Sequence, residues 1–569
     1  MIGPRRLAIA LWLALCFHGP LVLAGFYRYS YDAGTHEFFA DHYLQSPFGL
    51  WDPRWFGGFS VGSYPPLVHQ LIAALGAITG VEIAFGAVLL ATLVALPLAV
   101  WRFARAFVAD DVAGTTAIVS VFLPAFALTG HTFGQLPTLV ALALTLVLAT
   151  EWLRFVERGE RTTLLVVVAL GGLAFTAHHA TPVLLMPVAL LATFVARVRR
   201  RELRPRIRRA LAAMAAIALA GAFAALPFWI WQQTAPQQVV IPHLSRANFL
   251  ADADARSLFF WGMYGVLPAL ALAGLRLATS PRTLVLAAAA VPLGVLGLGG
   301  TTELPSLVFG PGWEWLTYDR FALWSSVFLL PLAGLTVHRA MGDGRLASRA
   351  TVAAVFVALA AFAAIDSATL LGTLPRQHDL RPLAAFLGVD NRADWRYQTF
   401  GFGDAATRLS YMTRATTIDG PYFTARAVPE LQASGIGMLD YALWWDPSGA
   451  QLRRALASAD RHGIRWAFVA EPKYDPYLAE AGFRRVESLV GGIEIWENPA
   501  APPVAPSERA FGTPDPLGVM WGTVPLTLLV TVIALVVVRQ RRASLVRGGR
   551  TDWKPSRLAP ERAPLSTRG

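Results

Sequence analysis

The sequence predicts an α-helical multipass membrane protein of about twelve transmembrane helices with a small extracytoplasmic α/β domain. Three observations carry that expectation. Of the 569 residues, 55% are hydrophobic and 15% charged, where a soluble domain is roughly 45–50% apolar and about 25% charged. The apolar residues gather in runs that approach the ~20 residues needed to cross about 30 Å of hydrocarbon. The arginines fall in alternate loops between those runs. This composition excludes a soluble enzyme, a disordered chain and a disulfide-stapled scaffold. The single cysteine, Cys16, lies inside an apolar run, so neither an internal disulfide nor a cysteine metal cluster is available.

The twelve runs are 7–25, 82–101, 112–130, 136–153, 162–177, 180–196, 210–231, 259–275, 283–299, 319–337, 350–369 and 517–538. The first follows Arg5-Arg6 and ends at Ala24-Gly25. Its apolar core is long for a cleaved leader, so it reads as an uncleaved span. A further apolar stretch at 67–80 follows Pro65-Pro66 and is too short to span, which suits a re-entrant or interfacial helix. One set of loops holds Arg5 and Arg6, Arg102 and Arg105, Arg154, Arg158 and Arg161, the run at 197–209, Arg276 and Arg282, and Arg339, Arg345 and Arg349. The tail at 539–569 continues the set. The alternate loops carry few, among them Arg28, Arg54, Arg246, Arg256 and Arg320. Basic loops stay cytoplasmic, so both termini are expected there. The net charge of +12, with Lys473 and Lys554 the only lysines, then reads as topology and attraction to anionic lipid headgroups rather than nucleic-acid binding.

The expected organisation is a transmembrane region at 1–369 with its first outer loop at 26–66, an extracytoplasmic α/β domain at 370–514, a final span at 515–538 and a disordered basic cytoplasmic tail at 539–569. Within 370–514, strands are expected at 397–402, 466–470 and 492–497. A helix is expected at 451–462, with Leu452, Leu456 and Ala459 on one face. No fixed-period repeat is visible.

The outer side holds most of the unusual polar residues. Its first loop is far longer than a connection requires, and long loops are usually functional. The loop reads Tyr31-Asp32-Ala33-Gly34-Thr35-His36-Glu37, then Asp41-His42, then Trp51-Asp52-Pro53-Arg54-Trp55-Phe56-Gly57-Gly58-Phe59 and Ser63-Tyr64-Pro65-Pro66. In a helix, Asp32 and His36 share a face at i, i+4. That pair could be a general base with an orienting partner, or two ligands of a divalent cation; equally, Asp32 could merely cap the helix. Other outer span ends carry His131 to Gln135, His178-His179, and Tyr318-Asp319-Arg320. Ionisable groups at membrane depth are functional candidates by default. Arg320 reads equally well as a snorkelling residue paired with Asp319 or as a fixed cation for a phosphate.

These residues resemble those of the GT-C type of integral membrane glycosyltransferase. The stretch Asp32 to His36, the Trp51-Asp52-Pro53 and Gly57-Gly58 segment, Tyr64-Pro65-Pro66-Leu67 and Gly134-Gln135-Leu136-Pro137 are similar to prokaryotic membrane proteins labelled 6-pyruvoyl-tetrahydropterin synthase-related. The label does not imply pterin chemistry here, because such a synthase is a compact soluble protein with a clustered zinc site. The resemblance implies transfer of a sugar from a polyprenyl-phosphate donor to a glycan, lipid or protein acceptor on the outer side of a prokaryotic plasma membrane. It implies Asp32 as the general base, with His36 or Glu37 orienting it or helping to hold a divalent cation. It implies Arg320 as the cation facing the lipid-linked phosphate, with His131, Gln135, His178, His179 and Tyr318 as further substrate-binding candidates. Asp32 is followed by Ala33, so the acidic pair common in such enzymes is missing and the metal remains open.

Two other classes compete. A transporter or flippase of lipid-linked glycans fits twelve spans, but such proteins usually show related halves and charged or Gly/Pro-broken mid-span sites, whereas here no half-to-half similarity is visible and the polar groups sit at outer span ends. A non-catalytic scaffold for cell-envelope polysaccharide assembly would use the outer domain for binding, with Trp444-Trp445 either a platform or core packing.

Overall fold

The computed structural model of the chain describes residues 2–198, 203–235, 237–342, 353, 378–489 and 491–548. Among the described residues, six helices are long and apolar enough to cross a membrane: Gly3–Leu23, Val81–Ala104, Leu136–Arg158, Leu203–Ala224, Asp319–Gly342 and Pro516–Arg541. Two bent pairs, Asp110–Val121 with Pro124–Thr132 and Ala253–Tyr264 with Leu267–Leu277, bring the number to eight. Each pair bends near a proline, Pro124 or Pro268, where the missing N–H opens the helical ladder.

The expected count of about twelve is not reached among the described residues. The runs at 162–177, 180–196 and 283–299 do fold as apolar helices, Arg161–Ala177, Thr181–Arg197 and Pro281–Leu296. At 1.5 Å per residue they are roughly 24–26 Å long, short of the ~30 Å core. The run at 350–369 lies almost wholly outside the described residues, of which it holds only 353. The stretch at 67–80 forms the short helix Leu67–Thr79.

Asp319–Gly342 is the central helix, with 78% of its apolar window buried, while Pro516–Arg541 is peripheral at 17%. The last helix runs on to Gly548, so the start of the expected tail is helical; 549–569 lie outside the described residues.

A polar unit sits at one end of these helices. Its four-stranded sheet has the spatial order Arg396–Phe400, Ile464–Val469, Ile493–Glu497, Arg484–Leu489. The first pair is parallel and the others antiparallel. Three of these strands match the expected ones to within two residues; the fourth carries mostly exposed side chains, so no apolar alternation announced it. Side chains alternate across a sheet, and both faces are used. Tyr397, Trp466, Phe468 and Ile495 pack with Leu383 and Leu387 of the helix Arg381–Leu387. Phe400, Ala467 and Val469 belong to a core shared with Phe38, Phe39, Trp55, Phe56 and Phe59 of the first loop. The first loop is thus built into the polar unit.

One contact crosses that junction, and a charged network braces the loop on itself. Trp55 stacks on Phe38 with ring centroids 3.5 Å apart, and its indole donates to Ser410 Oγ at 2.8 Å. Arg54 donates through Nη2 and Nε to Asp52 at 2.7 and 3.0 Å, and it also pairs with Asp41. His42 bonds Asp52 at 2.9 Å. The ribbon Trp51–Asp52 with Phe59–Ser60 turns through Phe56, Gly57 and Gly58, all at positive φ. A Cβ at Gly58 would lie 2.0 Å from the Trp51 ring, so only glycine fits there.

Candidate active site

The helix Ala33–Gln45 begins at Asp32 and is clamped from behind. The N–H groups of Tyr31 and Asp32 donate to the carbonyls of Thr132 and Phe133 at 3.1 and 3.0 Å. Gly134 permits this approach: its φ is +71, and a Cβ would stand 2.5 Å from Ser30 Oγ. Asp32 occupies the N-cap position, yet its side chain makes no capping bond. Capping is therefore not what this carboxylate does. It is half-buried and has no hydrogen-bond partner among the described residues. Burial pushes its pKa up to about 7; Arg320 opposes that rise, while Asp404 and Asp319 add to it. A carboxylate tuned in this way is suited to accept a proton near neutral pH.

Arg320 stands in the first turn of Asp319–Gly342. It forms no ion pair among the described residues, and its buried Nε has no partner. The expected alternative of a simple pair with Asp319 does not occur. Asp319 instead accepts from Gln135 Nε2 at 2.9 Å, leaving Asp319 Oδ1 and Gln135 Oε1 unpartnered. The charge on Arg320 reaches several neighbours. After burial it is the next cause lowering His36, to about 3, and lowering His178 further. Burial and the charge on Asp32 raise Tyr64, and Arg320 opposes them. Asp32, His36, Tyr64 and His178 therefore all lie within electrostatic reach of Arg320, with Gln135 joined to the group through Asp319.

His36 lies one turn from Asp32, and its N–H donates to the Asp32 carbonyl at 3.0 Å. Its ring does not bond the Asp32 carboxylate. Nδ1 instead shares a hydrogen bond with His69 Nε2 at 3.0 Å, and Nε2 is buried without a partner. His36 is thus a neutral imidazole beside the carboxylate, held by a histidine that sequence reasoning did not single out. His178 bonds Thr181 Oγ1 at 2.8 Å.

Four expected site residues are engaged elsewhere. Glu37 is fully buried, accepting from Arg408 Nε at 2.8 Å and from the Tyr411 hydroxyl at 2.9 Å, so it fastens the polar unit to the loop helix. His131 pairs with His18 of the first helix at 3.1 Å. His179 packs on Phe228 at 4.2 Å between centroids. The Tyr318 hydroxyl donates to the Trp313 carbonyl at 2.9 Å. For a divalent cation, the described residues contain no group of three or more His, Cys, Asp or Glu able to hold one; Asp32 and His36 lack a third ligand of those types.

Asp404 was not foreseen. It comes from the turn Gly403–Arg408 of the polar unit, which lies over the loop helix: Thr407 Cβ would be 3.1 Å from a Cβ at Gly34. Burial raises Asp404 to about 6, and the Tyr441 hydroxyl bonds it at 3.3 Å. It puts a second carboxylate near Asp32, and nothing in the local sequence marks it.

A family profile described as "Family of unknown function (DUF6541)" matches residues 37–410. The chain belongs to this family. The match opens at Glu37, just past Asp32 and His36, and includes Arg320 and Asp404. No curated protein matches the chain. Among solved structures it is similar to ArnT from Cupriavidus metallidurans in the apo state, with a TM-score of 0.51 and 13% identity over 86% of this chain and 99% of that one. The same protein bound to undecaprenyl phosphate gives 0.50 and 10% over 86% and 99%. The apo oligosaccharyltransferase of Archaeoglobus fulgidus gives 0.50 and 12%, covering 92% of this chain and 78% of that one. These are GT-C type membrane glycosyltransferases, and at such identities the likeness establishes a shared fold. Membership of the pterin synthase-related set is not shown by these matches.

Proposed function

We propose that this DUF6541 protein is a membrane glycosyltransferase that moves a sugar from a polyprenyl-phosphate donor to a glycan, lipid or protein acceptor on the extracytoplasmic face of a prokaryotic plasma membrane. Both termini are then cytoplasmic, and the unit within 370–514 faces outward. The observation that carries the reading is an unpaired carboxylate, Asp32, facing an unpaired guanidinium, Arg320. The fold shared with ArnT supports it, since that protein has been captured with undecaprenyl phosphate.

In this reading Asp32 takes the proton of the acceptor hydroxyl as its oxygen forms a bond to the anomeric carbon. The bond from that carbon to the phosphate oxygen breaks, and the polyprenyl phosphate leaves with the electron pair. Negative charge develops on the phosphate, where Arg320 stabilises it in a site shielded from water. Asp404 and Asp319 strengthen the base by repelling the ionised form of Asp32. Neutral His36 and the Tyr64 hydroxyl are placed to hydrogen-bond the substrates. No step is routed through a metal.

The test is transfer from a labelled polyprenyl-phosphate sugar to membrane acceptors by protein reconstituted in vesicles. The wild type should form product, and Asp32→Asn should form it about 10²–10⁴-fold more slowly while melting no lower than the wild type. Movement of the donor across the vesicle without any acceptor, unchanged in Asp32→Asn, would assign the protein to transport instead.

A further inference from the structure

The ends of the helices remote from the polar unit carry a second charged cluster with no part in this chemistry. Glu151 is buried within Leu136–Arg158. It accepts from Arg154 at 2.9 Å, from Arg539 of the last helix, through Nη1 at 2.6 Å and Nη2 at 3.1 Å, and from Arg102, in the last turn of Val81–Ala104, at 3.4 Å. Three helices distant in sequence are thereby tied at one point. One carboxylate cannot balance three guanidiniums. Of the acids that follow it in sequence, Glu157 stands 3.9 Å from Arg197 and Glu160 3.8 Å from Arg158. Five arginines thus face three acids.

The cluster is not sealed. The side chains of Arg102, Arg154 and Arg539 keep 33%, 35% and 25% of their exposure. Leu98 is exposed one turn before Arg102 on the same face of its helix, so apolar surface adjoins the cluster. A surplus of fixed positive charge beside exposed apolar surface matches a phosphate joined to acyl chains. A free phosphate would answer the charge and leave that apolar surface unused.

We propose that Arg102, Arg154 and Arg539 form a binding site for the phosphate of an anionic phospholipid, which would clamp the last helix to the bundle. The site is separate from Asp32 and Arg320 and does not depend on the reading of their function.

The test uses the full chain, delipidated in neutral detergent, and measures the thermal midpoint and retained lipid by native mass spectrometry. Phosphatidylglycerol should bind saturably and raise the midpoint, and phosphatidylcholine and inorganic phosphate should not. Arg102→Gln, the mildest change because its contact to Glu151 is the longest, should weaken binding about fivefold, the effect of ~1 kcal/mol per arginine. The double variant Arg102→Gln/Arg154→Gln should weaken it further. Arg105→Gln is the control, since Arg105 pairs with Asp110 at 2.8 Å outside the cluster and should leave binding unchanged. Equal effects of phosphatidylcholine, or of inorganic phosphate alone, would overturn the proposal. So would a loss in Arg105→Gln as large as in Arg102→Gln, which would reduce the effect to general surface charge.

Discussion

Asp32 and Arg320 are the residues on which the account turns, and each makes a separate prediction. General-base catalysis contributes about 10²–10⁴-fold, so Asp32→Asn should slow transfer by that range. Its pKa of about 7 gives the wild-type rate a limb: below about pH 7 the base is protonated and the rate should fall tenfold per unit. The same shift carries a stability cost. A carboxyl whose folded pKa is raised stabilises the fold most when protonated, and that contribution is lost as pH rises through about 7. Asp32→Asn should therefore melt higher than the wild type at pH 8.5 and close to it at pH 5. Arg320→Gln should lower the rate about 10²–10³-fold, the usual scale for one donor to a developing oxyanion, and Arg320→Lys should not restore it fully, because lysine lacks the planar fork. Both positions were legible in the sequence, being ionisable groups at span ends. The roles of their neighbours were not. His131 and Glu37 looked equally available, and only tertiary structure reveals that His18 occupies one and Arg408 the other. Asp404 enters the site from about 370 residues downstream of Asp32, a distance across which no local pattern operates.

The first loop is the element that sequence reasoning both found and misread. Its length and its Trp-Asp-Pro-Arg-Trp motif suggested chemistry throughout. The structure divides it. The Asp32 to His36 turn faces the site, while Trp55 fastens the loop to the polar unit and Asp52 and Arg54 brace the loop on itself. The charged pair at Asp52 and Arg54 is a local, self-satisfied network, and its aromatics fill a core. Trp55→Ala should therefore cost about 3–5 kcal/mol, the scale of removing a buried tryptophan, measured by chemical or thermal unfolding, with any activity loss following the loss of folded protein. Arg408→Ala should cost a similar ~3–5 kcal/mol by leaving Glu37 buried and unpaired. The spans show the same limit. Composition located the apolar helices, but three of them prove shorter than the membrane is thick, because hydropathy marks apolar character without marking where a helix stops.

At the scale of the whole molecule, two ends of one bundle carry opposite kinds of charge. The polar end gathers buried carboxylates, including Asp404 at about 6 and Asp440 at about 8, both raised mainly by burial. Each stabilises the fold when protonated and loses that contribution as pH rises through its folded value. The melting temperature should accordingly fall between pH 5 and 9, and Asp440→Asn should flatten that fall. Asp52, held below the usual carboxylate range by Arg54 and His42 against the opposing effect of burial, acts in the reverse sense only at much lower pH. The remote end gathers arginines, which composition foretold as a net charge and structure resolves into a cluster around Glu151. The most direct test of the central claim is the pH dependence of sugar transfer by the reconstituted wild type, with Asp32→Asn measured alongside. The wild-type rate should rise to a plateau above about pH 7, and Asp32→Asn should be folded, slower than that plateau by about 10²–10⁴-fold and without the limb. An Asp32→Asn variant with the wild-type rate and the same pH profile would contradict the claim.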